Sequence, residues 1–197
     1  MNLVERVKRI LLSPKTEWEV IDAEQTTPAE LYTRYIMPLA AIGPIAQIIG
    51  FSVFGVSMPF VGGTYRVPIG SAITQGVVTY VLALAAPYIL ALIIDFLAPN
   101  FSGRRSQLQA LKVAAYSLTA SWLSGIFLLV PMLSILSIVG LYSLYLLYLG
   151  LPILMKTPRD KSVAYTVVVI IAGFVLMLVI SAVAAMFSSV PRAGLTP

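Results

Sequence analysis

Asp95 is the one acidic side chain inside the long apolar segments of this chain, and its type and position could support chemistry. A carboxylate within a membrane-spanning segment is costly to bury alone, so it indicates an ion- or proton-coupling site unless a cation neutralises it. Lys112 or Arg34, each close to the same end of a neighbouring segment, could be that cation. The sequence leaves both interpretations open: a coupling carboxylate, or a structural ion pair at a helix end.

A second polar pattern follows the fourth apolar segment. At the 100° step of an α-helix, six residues fall within one stripe: Ser134, Ser137, Leu141, Tyr145, Tyr148 and Pro152. We expect this stripe to face protein, where Tyr116 and Thr119 of the preceding segment can meet it through hydrogen bonds between helices. The stripe fits two roles, adhesion between helices and the wall of a conduit.

The residue types that are absent exclude most catalytic and metal chemistry. The chain has no Cys and no His, which removes disulfides, thiolate nucleophiles, zinc–thiolate sites and the commonest general base. It has no Walker loop and no dinucleotide-binding glycine pattern. We interpret the acidic residues 17–24 as a solvated face of a linker. The sequence therefore predicts a protein that is not an enzyme, with no catalytic residue, no metal site and no cofactor.

Long apolar segments must position these residues. The chain is 59% hydrophobic and 11% charged, with a mean hydropathy of +0.94, so it cannot present a normal aqueous surface. Residues 113–155 form a stretch of 43 without a charged side chain. As one helix this stretch would reach roughly 65 Å, about twice the ~30 Å hydrocarbon core. It must therefore cross a membrane twice and turn near Pro131.

We predict an all-α polytopic membrane protein, a five-transmembrane-helix bundle that follows short N-terminal cytoplasmic amphipathic helices. The predicted spans cover residues 35–56, 76–97, 113–130, 133–155 and 163–187. Residues 1–33 would form the amphipathic segment, 34–188 the transmembrane domain and 189–197 a short non-cytoplasmic tail.

The first predicted span carries strong local signals. Thr27, Pro28 and Glu30 match a capping box with proline in the first turn, so a helix should begin there. Pro38 and Pro44 lie inside that helix and should kink it or free backbone carbonyls. The small residue Gly50 predicts a close approach of another helix.

The N-terminal segment has the pattern of a short amphipathic helix. Its apolar residues recur at spacings of three and four: Leu3, Val4, Val7, Ile10 and Leu11. Two placements of this amphipathic helix fit the pattern. It could lie at the membrane surface with Arg6, Lys8 and Arg9 toward anionic headgroups, or it could pack on the cytoplasmic ends of the spans. A second helix should follow Pro14 and carry Trp18, which we interpret as an anchor at the membrane interface.

The placement of Lys and Arg predicts the orientation of the bundle. Eleven of the 13 fall on the side of the N-terminus, and only Arg66 and Arg192 fall on the other. This bias predicts a cytoplasmic N-terminus and an external C-terminus in a membrane that is expected to be a bacterial inner membrane. The net charge of +5 follows from that topology, so we expect no nucleic-acid partner.

Three segments carry a resemblance to a known family. They are residues 12–21 (LSPKTEWEVI), 109–117 (QALKVAAYS) and 140–152 (GLYSLYLLYLGLP). Together with five spans they resemble the Yip family of Rab/Ypt-interacting membrane proteins, in its prokaryotic branch. The resemblance implies a non-enzymatic multi-pass protein; eukaryotic members bind prenylated Rab-type GTPases. The chain has Glu30-Leu31-Tyr32-Thr33-Arg34 where those members have Asp-Leu-Tyr-Gly-Pro, so no GTPase-binding residue is carried over.

Two functions follow as hypotheses. The first is a scaffold or adaptor that associates with copies of itself or with partner membrane proteins, organises them or membrane lipids, and meets anionic headgroups on its cytoplasmic face. The second is a small transporter or channel that uses Asp95 and an interior lined by tyrosine and serine. Lys112, Tyr116, Tyr145 and Tyr148 complete this candidate polar site.

The predicted topology can be tested with reporters at the two ends of the chain. We expect a fluorescent protein that folds only in the cytoplasm to be bright at the N-terminus and dark at the C-terminus, because five crossings separate the ends. Signals from the same compartment would contradict an odd number of crossings.

Overall fold

The computed structural model describes residues 2–57 and 64–187. Two short helices come first, α1 (Leu3–Leu12) and α2 (Pro14–Ala23), and long helical segments follow. A two-residue strand β1 (Val56–Ser57) pairs antiparallel with β2 (Thr64–Tyr65). The predicted tail 189–197 lies outside the described residues, and so does Arg192.

Five helical segments among the described residues are long and apolar enough to cross a membrane. They are span 1 (Pro28–Phe54), span 2 (Ile69–Phe101), span 3 (Gln107–Leu129), span 4 (Pro131–Leu154) and span 5 (Arg159–Met186). The predicted all-α fold class with five spans is confirmed. Spans 1, 2 and 3 begin six or seven residues before the predicted membrane segments, because their first turns are too polar to count as membrane sequence and yet continue the helix.

The start of span 1 is the predicted capping box. Thr27 Oγ1 accepts from the Glu30 amide at 3.2 Å, and Glu30 Oε2 accepts from the Thr27 amide at 3.1 Å. Pro28 occupies the first turn, where its missing N–H costs nothing. The helix therefore begins inside the segment predicted as 1–33.

Span 1 is irregular around its prolines, as predicted. A π-helical turn, Tyr32–Ile36, comes before Pro38, and the α-helix is interrupted at Ala41, three residues before Pro44. The hydroxyl of Tyr80 in span 2 donates to the Met37 carbonyl at 3.2 Å. A neighbouring side chain thus occupies a carbonyl beside the proline, as is usual where proline disturbs a membrane helix.

Spans 3 and 4 form the predicted membrane hairpin. Val130 is extended, with φ −119° and ψ 106°, and Pro131 begins the returning helix. The ends that meet at this turn are 3₁₀-helical, Gly125–Leu129 and Pro131–Leu141. A 3₁₀-helix has three residues per turn, so a projection at 100° per residue does not describe the first half of span 4.

Span 3 is the central helix of the bundle. In its most apolar window 56% of the residues are buried, against 6% in span 5. The core sits at the N-terminal ends of spans 1 and 3, where Ile10, Trp18 and Ile21 of α1 and α2 are fully buried among span residues. The two N-terminal helices are therefore part of the core, and spans 4 and 5 expose the apolar surface that suits lipid.

Glycines bring spans 1 and 3 into close contact. A Cβ on Gly125 would lie 2.8 Å from the Gly43 Cα, and a Cβ on Gly50 would lie 2.2 Å from the Leu128 carbonyl oxygen. Neither position has room for a side chain, because the neighbouring atoms are backbone. The predicted close approach at Gly50 is confirmed.

We expect Gly50→Ala to separate spans 1 and 3 locally and to destabilise the bundle by about 1–3 kcal/mol. Thermal unfolding in detergent, followed by circular dichroism, measures this. Gly70→Ala is the matched control, because a Cβ at Gly70 meets no atom within 4 Å and alanine favours the helix. Equal midpoints for the two variants would contradict the close packing.

Candidate functional site

The densest polar contacts of the molecule join α1 and α2 to the spans. We call α1 and α2 together the N-terminal helix pair. Asn2 caps α1, because its Oδ1 accepts from the Val4 amide at 3.2 Å, and Pro14 starts α2 directly after Ser13. The hydroxyl of Tyr142 in span 4 donates to the Leu11 carbonyl at 3.0 Å, at the C-terminal end of α1. This hydrogen bond attaches the N-terminal helix pair to span 4 close to the junction between α1 and α2.

Arg6 is a buried cation with two carboxylate partners. Its Nη1 lies 2.5 Å from Glu17 Oε1, and its Nη2 donates to the Glu24 carboxylate. The guanidinium carbon lies 5.5 Å from the centroid of the Tyr116 ring. A charge can be buried at tolerable cost only when it is paired and hydrogen-bonded in this way.

The structure decides between the two placements of α1. It packs on the spans, so the prediction that Arg6 faces headgroups is wrong: Arg6 lies between Leu3 and Ile10 on the buried face of the helix. Lys8 and Arg9 are exposed, and Arg9 pairs with Glu5 on the same helix. Their contact with anionic headgroups stays a prediction.

Lys112 caps the C-terminal end of α2 from span 3. Its Nζ donates to the Ile21 carbonyl at 2.9 Å and to the Glu24 carbonyl at 2.7 Å. Gln109 Nε2 donates to the Asp22 carbonyl at 3.4 Å. The last carbonyls of a helix have no partner within it, and a cation there also meets the negative end of the helix dipole. Lys112 is thus a structural capping residue of α2.

Trp18 is fully buried, so its interpretation as an interface anchor is wrong. The indole occupies a slot on span 4 above Gly150, where a Cβ would lie 2.5 Å from the ring. Its ring also meets the edge of Tyr116, with 6.3 Å between centroids. The missing side chain at Gly150 is what admits the indole.

Tyr116 connects the N-terminal helix pair to span 1. Its ring lies 4.5 Å from that of Tyr35, and the Tyr35 hydroxyl hydrogen-bonds to Thr119 Oγ1 at 2.7 Å. The prediction that Tyr116 and Thr119 meet span 4 is wrong. Two serine contacts join spans 3 and 4 instead. The Ser121 hydroxyl lies 2.9 Å from that of Ser143, and Ser137 of the predicted stripe donates to the Ser124 carbonyl at 3.5 Å.

Tyr145 and Tyr148 point away from the bundle, which corrects the predicted stripe. They are 41% and 44% exposed. The buried face of span 4 instead carries the small residues Gly140, Ser143 and Gly150. Small residues allow neighbouring helices to approach closely, so this face packs and the large tyrosines lie outside.

Asp95 pairs with Arg105, which follows span 2, and not with Lys112 or Arg34. Its Oδ2 lies 3.9 Å from Arg105 Nε, which also donates to the Asp95 carbonyl at 3.3 Å. The side chain is 22% exposed, and its Oδ1 is buried without a hydrogen-bond partner among the described residues. The contact is a long ion pair that leaves one carboxylate oxygen unused.

The acidic residues of α2 and its C-terminal connection are mostly in contacts, so the prediction of a solvated linker face is wrong. Glu17 is buried, and Asp22 binds Lys156 Nζ at 2.5 Å. The sequence held a signal for this: Glu17 lies at helical spacing between Pro14, Trp18 and Ile21, on the apolar face of α2. Glu17 on the apolar face of α2 and Arg6 on the apolar face of α1 together indicate a buried ion pair.

A polar cavity lies beside this cluster, between α1, the connection after α2 and the start of span 1. Its volume is about 370 Å³, and we call it the Arg34 cavity. The residues that line it are Leu3, Arg6, Glu24, Gln25, Thr26, Glu30, Leu31, Arg34, Tyr35 and Tyr116. Within residues 2–57 and 64–187, no group of three or more acidic side chains is arranged to hold a metal ion.

We expect Lys112→Met to loosen the N-terminal helix pair, because the carbonyls of α2 lose their donor and the buried carboxylates lose a nearby cation. Each orphaned carbonyl costs about 1–3 kcal/mol. Limited trypsin digestion of the detergent-solubilised protein should cleave at Lys8, Arg9 and Lys15 faster than in the unaltered chain.

Lys161→Met is the matched control for this digestion, because Lys161 is exposed and, within the described part of the chain, its Nζ donates to the Ser102 hydroxyl alone. Its cleavage pattern in α1 and α2 should not change. Equal digestion of the Lys112→Met protein and the unaltered chain would show that Lys112 does not hold the helix pair in place.

Comparison of the sequence with known proteins shows what this chain is similar to. The sequence matches the family model described as the Yip1 domain over residues 8–180. It is 29% identical over 120 residues to the inner membrane protein YohC of Escherichia coli strain K12, and equally to that of strain CFT073. The matched region covers 60% of this chain and 60% of the relative's length. No solved structure matches the chain significantly.

Proposed function

The chain belongs to the Yip1 domain family, and from this premise we propose that it is a non-enzymatic scaffold or adaptor that organises lipid or partner membrane proteins. It is an integral membrane protein with five spans. The E. coli relative is an inner membrane protein, and we place this chain in the same kind of membrane.

The observation that carries the proposal is the rigid attachment of the N-terminal helix pair. Arg6 and Lys112 are buried with Glu17, and Glu24 is half-buried beside them, so two cations and two anions balance within one cluster. A helix pair held by these contacts forms a defined surface on the end of the bundle. Such a surface suits the docking of partners, whereas a transport gate needs an element with few contacts that can move.

The surface that the helix pair presents has the composition of a contact face. Three cations and two anions are exposed on the pair: Lys8, Arg9 and Lys15 with Glu5 and Glu19. Arg9 pairs with Glu5, and the apolar residues Val4 and Leu12 are exposed as well. Cations beside apolar side chains favour an anionic membrane surface or an acidic partner. This face therefore supports the proposed contact with anionic headgroups.

The transporter or channel remains the second candidate because of one observation, the unpartnered Oδ1 of Asp95. Other features do not support a conduit: Tyr145 and Tyr148 lie on the outside of the bundle, and the hydroxyls of Ser121 and Ser137 are used in hydrogen bonds between spans 3 and 4. The scaffold is accordingly the function that the geometry supports best.

The scaffold proposal predicts self-association in a lipid bilayer. Because the natural chain has no Cys, a single Lys8→Cys substitution can carry either a donor or an acceptor dye. We expect energy transfer between co-reconstituted copies to persist as the lipid-to-protein ratio is raised tenfold, since a specific oligomer does not dilute apart. Efficiency that falls as for randomly placed monomers would contradict a homo-oligomeric scaffold.

The same proteoliposomes separate the two candidates by flux. We expect no proton, ion or lipid flux above that of empty liposomes, with and without Asp95→Asn. Flux that Asp95→Asn abolishes, in a variant with an unchanged circular dichroism spectrum, would favour the transporter and overturn the scaffold.

A further inference from the structure

The Arg34 cavity has no part in the packing described above, yet it is lined by charged and polar groups from four parts of the chain. Arg6 comes from α1, Glu24 from the connection after α2, Arg34 from span 1 and Tyr116 from span 3. Its volume of about 370 Å³ lies in the range of small-molecule sites, roughly 300–1,000 Å³. The cavity is large enough for a lipid headgroup.

Arg34 is the available cation of this cavity. Arg6 is occupied by Glu17 and Glu24, whereas the Arg34 guanidinium is exposed and has no ion pair or hydrogen bond to any part of the chain that the structure describes. A guanidinium presents planar, forked donors that fit a phosphate group. Arg34 therefore offers the cavity a place for one phosphate.

The carboxylates of the cavity favour a ligand that also carries a positive charge. Glu24 and Glu30 line it together with Arg6 and Arg34, so its formal charges sum to zero. Glu30 uses Oε2 for the capping box with Thr27, and Glu24 uses Oε2 for Arg6. Each carboxylate has a second oxygen, to which an ammonium group can donate.

The depth of Arg34 points to a lipid as the source of that phosphate. Span 1 has 27 residues and is roughly 40 Å long as a helix, about 10 Å longer than the hydrocarbon core of ~30 Å. The excess falls on its polar first turns, from Pro28 to Arg34. This length argument puts Arg34, which lines the cavity, near the level of lipid phosphates.

We infer that the Arg34 cavity binds the headgroup of a zwitterionic glycerophospholipid with a primary ammonium, its phosphate against Arg34 and its ammonium toward Glu24 and Glu30. A choline headgroup has no N–H to donate, and a glycerol headgroup has no cation for the carboxylates. The order of affinity is therefore ethanolamine above choline and glycerol. The inference rests on the proposed function in that lipid is a partner of the scaffold.

Native mass spectrometry of the delipidated full chain in detergent tests the site. The probes are phosphatidylethanolamine, phosphatidylcholine and phosphatidylglycerol with identical acyl chains, and soluble O-phosphoethanolamine. We expect the ethanolamine lipid to bind most tightly and Arg34→Gln to weaken it about tenfold. Arg34→Lys, which keeps the charge but lacks the forked donors, should bind more tightly than Arg34→Gln and less tightly than the unaltered chain. Arg104→Gln, at an exposed arginine outside the cavity, should change nothing.

Glu30→Gln tests the ammonium contact separately. The amide keeps an oxygen for the Thr27 N–H and removes one of the two negative charges offered to the ammonium, so the chain should still bind lipid with a weaker preference for ethanolamine over choline and glycerol. An undiminished preference would assign the ammonium away from Glu30 and overturn that part of the site.

Three results would overturn the inference as a whole. They are equal binding of the three lipids to the unaltered chain, equal losses in Arg34→Gln and Arg104→Gln, and tight binding of soluble O-phosphoethanolamine without binding of the lipid. Energy transfer between labelled copies is measured independently. If headgroup binding is lost and energy transfer is retained, the lipid site alone is contradicted. If headgroup binding is retained and energy transfer is lost, the self-associating scaffold alone is contradicted.

Discussion

The neutralisation of buried charge at the N-terminal helix pair is the constraint on which the rest of the structure depends. Arg6, Glu17 and Lys112 are buried, and the half-buried Glu24 completes a cluster of two positive and two negative charges. Removal of one partner from such a cluster leaves an uncompensated charge and costs about 3–5 kcal/mol. The cluster therefore fixes α1 and α2 on spans 3 and 4, and with them the wall of the Arg34 cavity and the face that carries Lys8 and Arg9.

Features that depend on local sequence could be predicted. The five spans follow from runs of apolar residues, and the turn at Pro131 follows from a stretch too long for one crossing. The capping box at Thr27 and the irregularity near Pro38 follow from the chemistry of single residues. Each of these signals is read within one turn or one span, where few tertiary contacts can override it.

The direction in which each span faces could not be predicted in the same way. Lipid is as apolar as a protein core, so hydrophobicity does not mark the buried face of a membrane helix. Polarity predicts that the stripe with Tyr145 and Tyr148 faces protein. In the structure the small residues Gly140 and Gly150 lie on the buried face of span 4. Asp95 pairs with Arg105 rather than with Lys112, because Lys112 donates hydrogen bonds to the end of α2, which is far away in sequence.

The slot at Gly150 imposes an order on biosynthesis. Trp18 leaves the ribosome early, but the surface that receives it is translated only after roughly 130 further residues, which takes on the order of ten seconds at usual rates of synthesis. During that interval Arg6 must stay hydrated, and the indole of Trp18 must be covered by something other than span 4. Closure of the helix pair is thus a late event, completed only after the fourth crossing has been inserted.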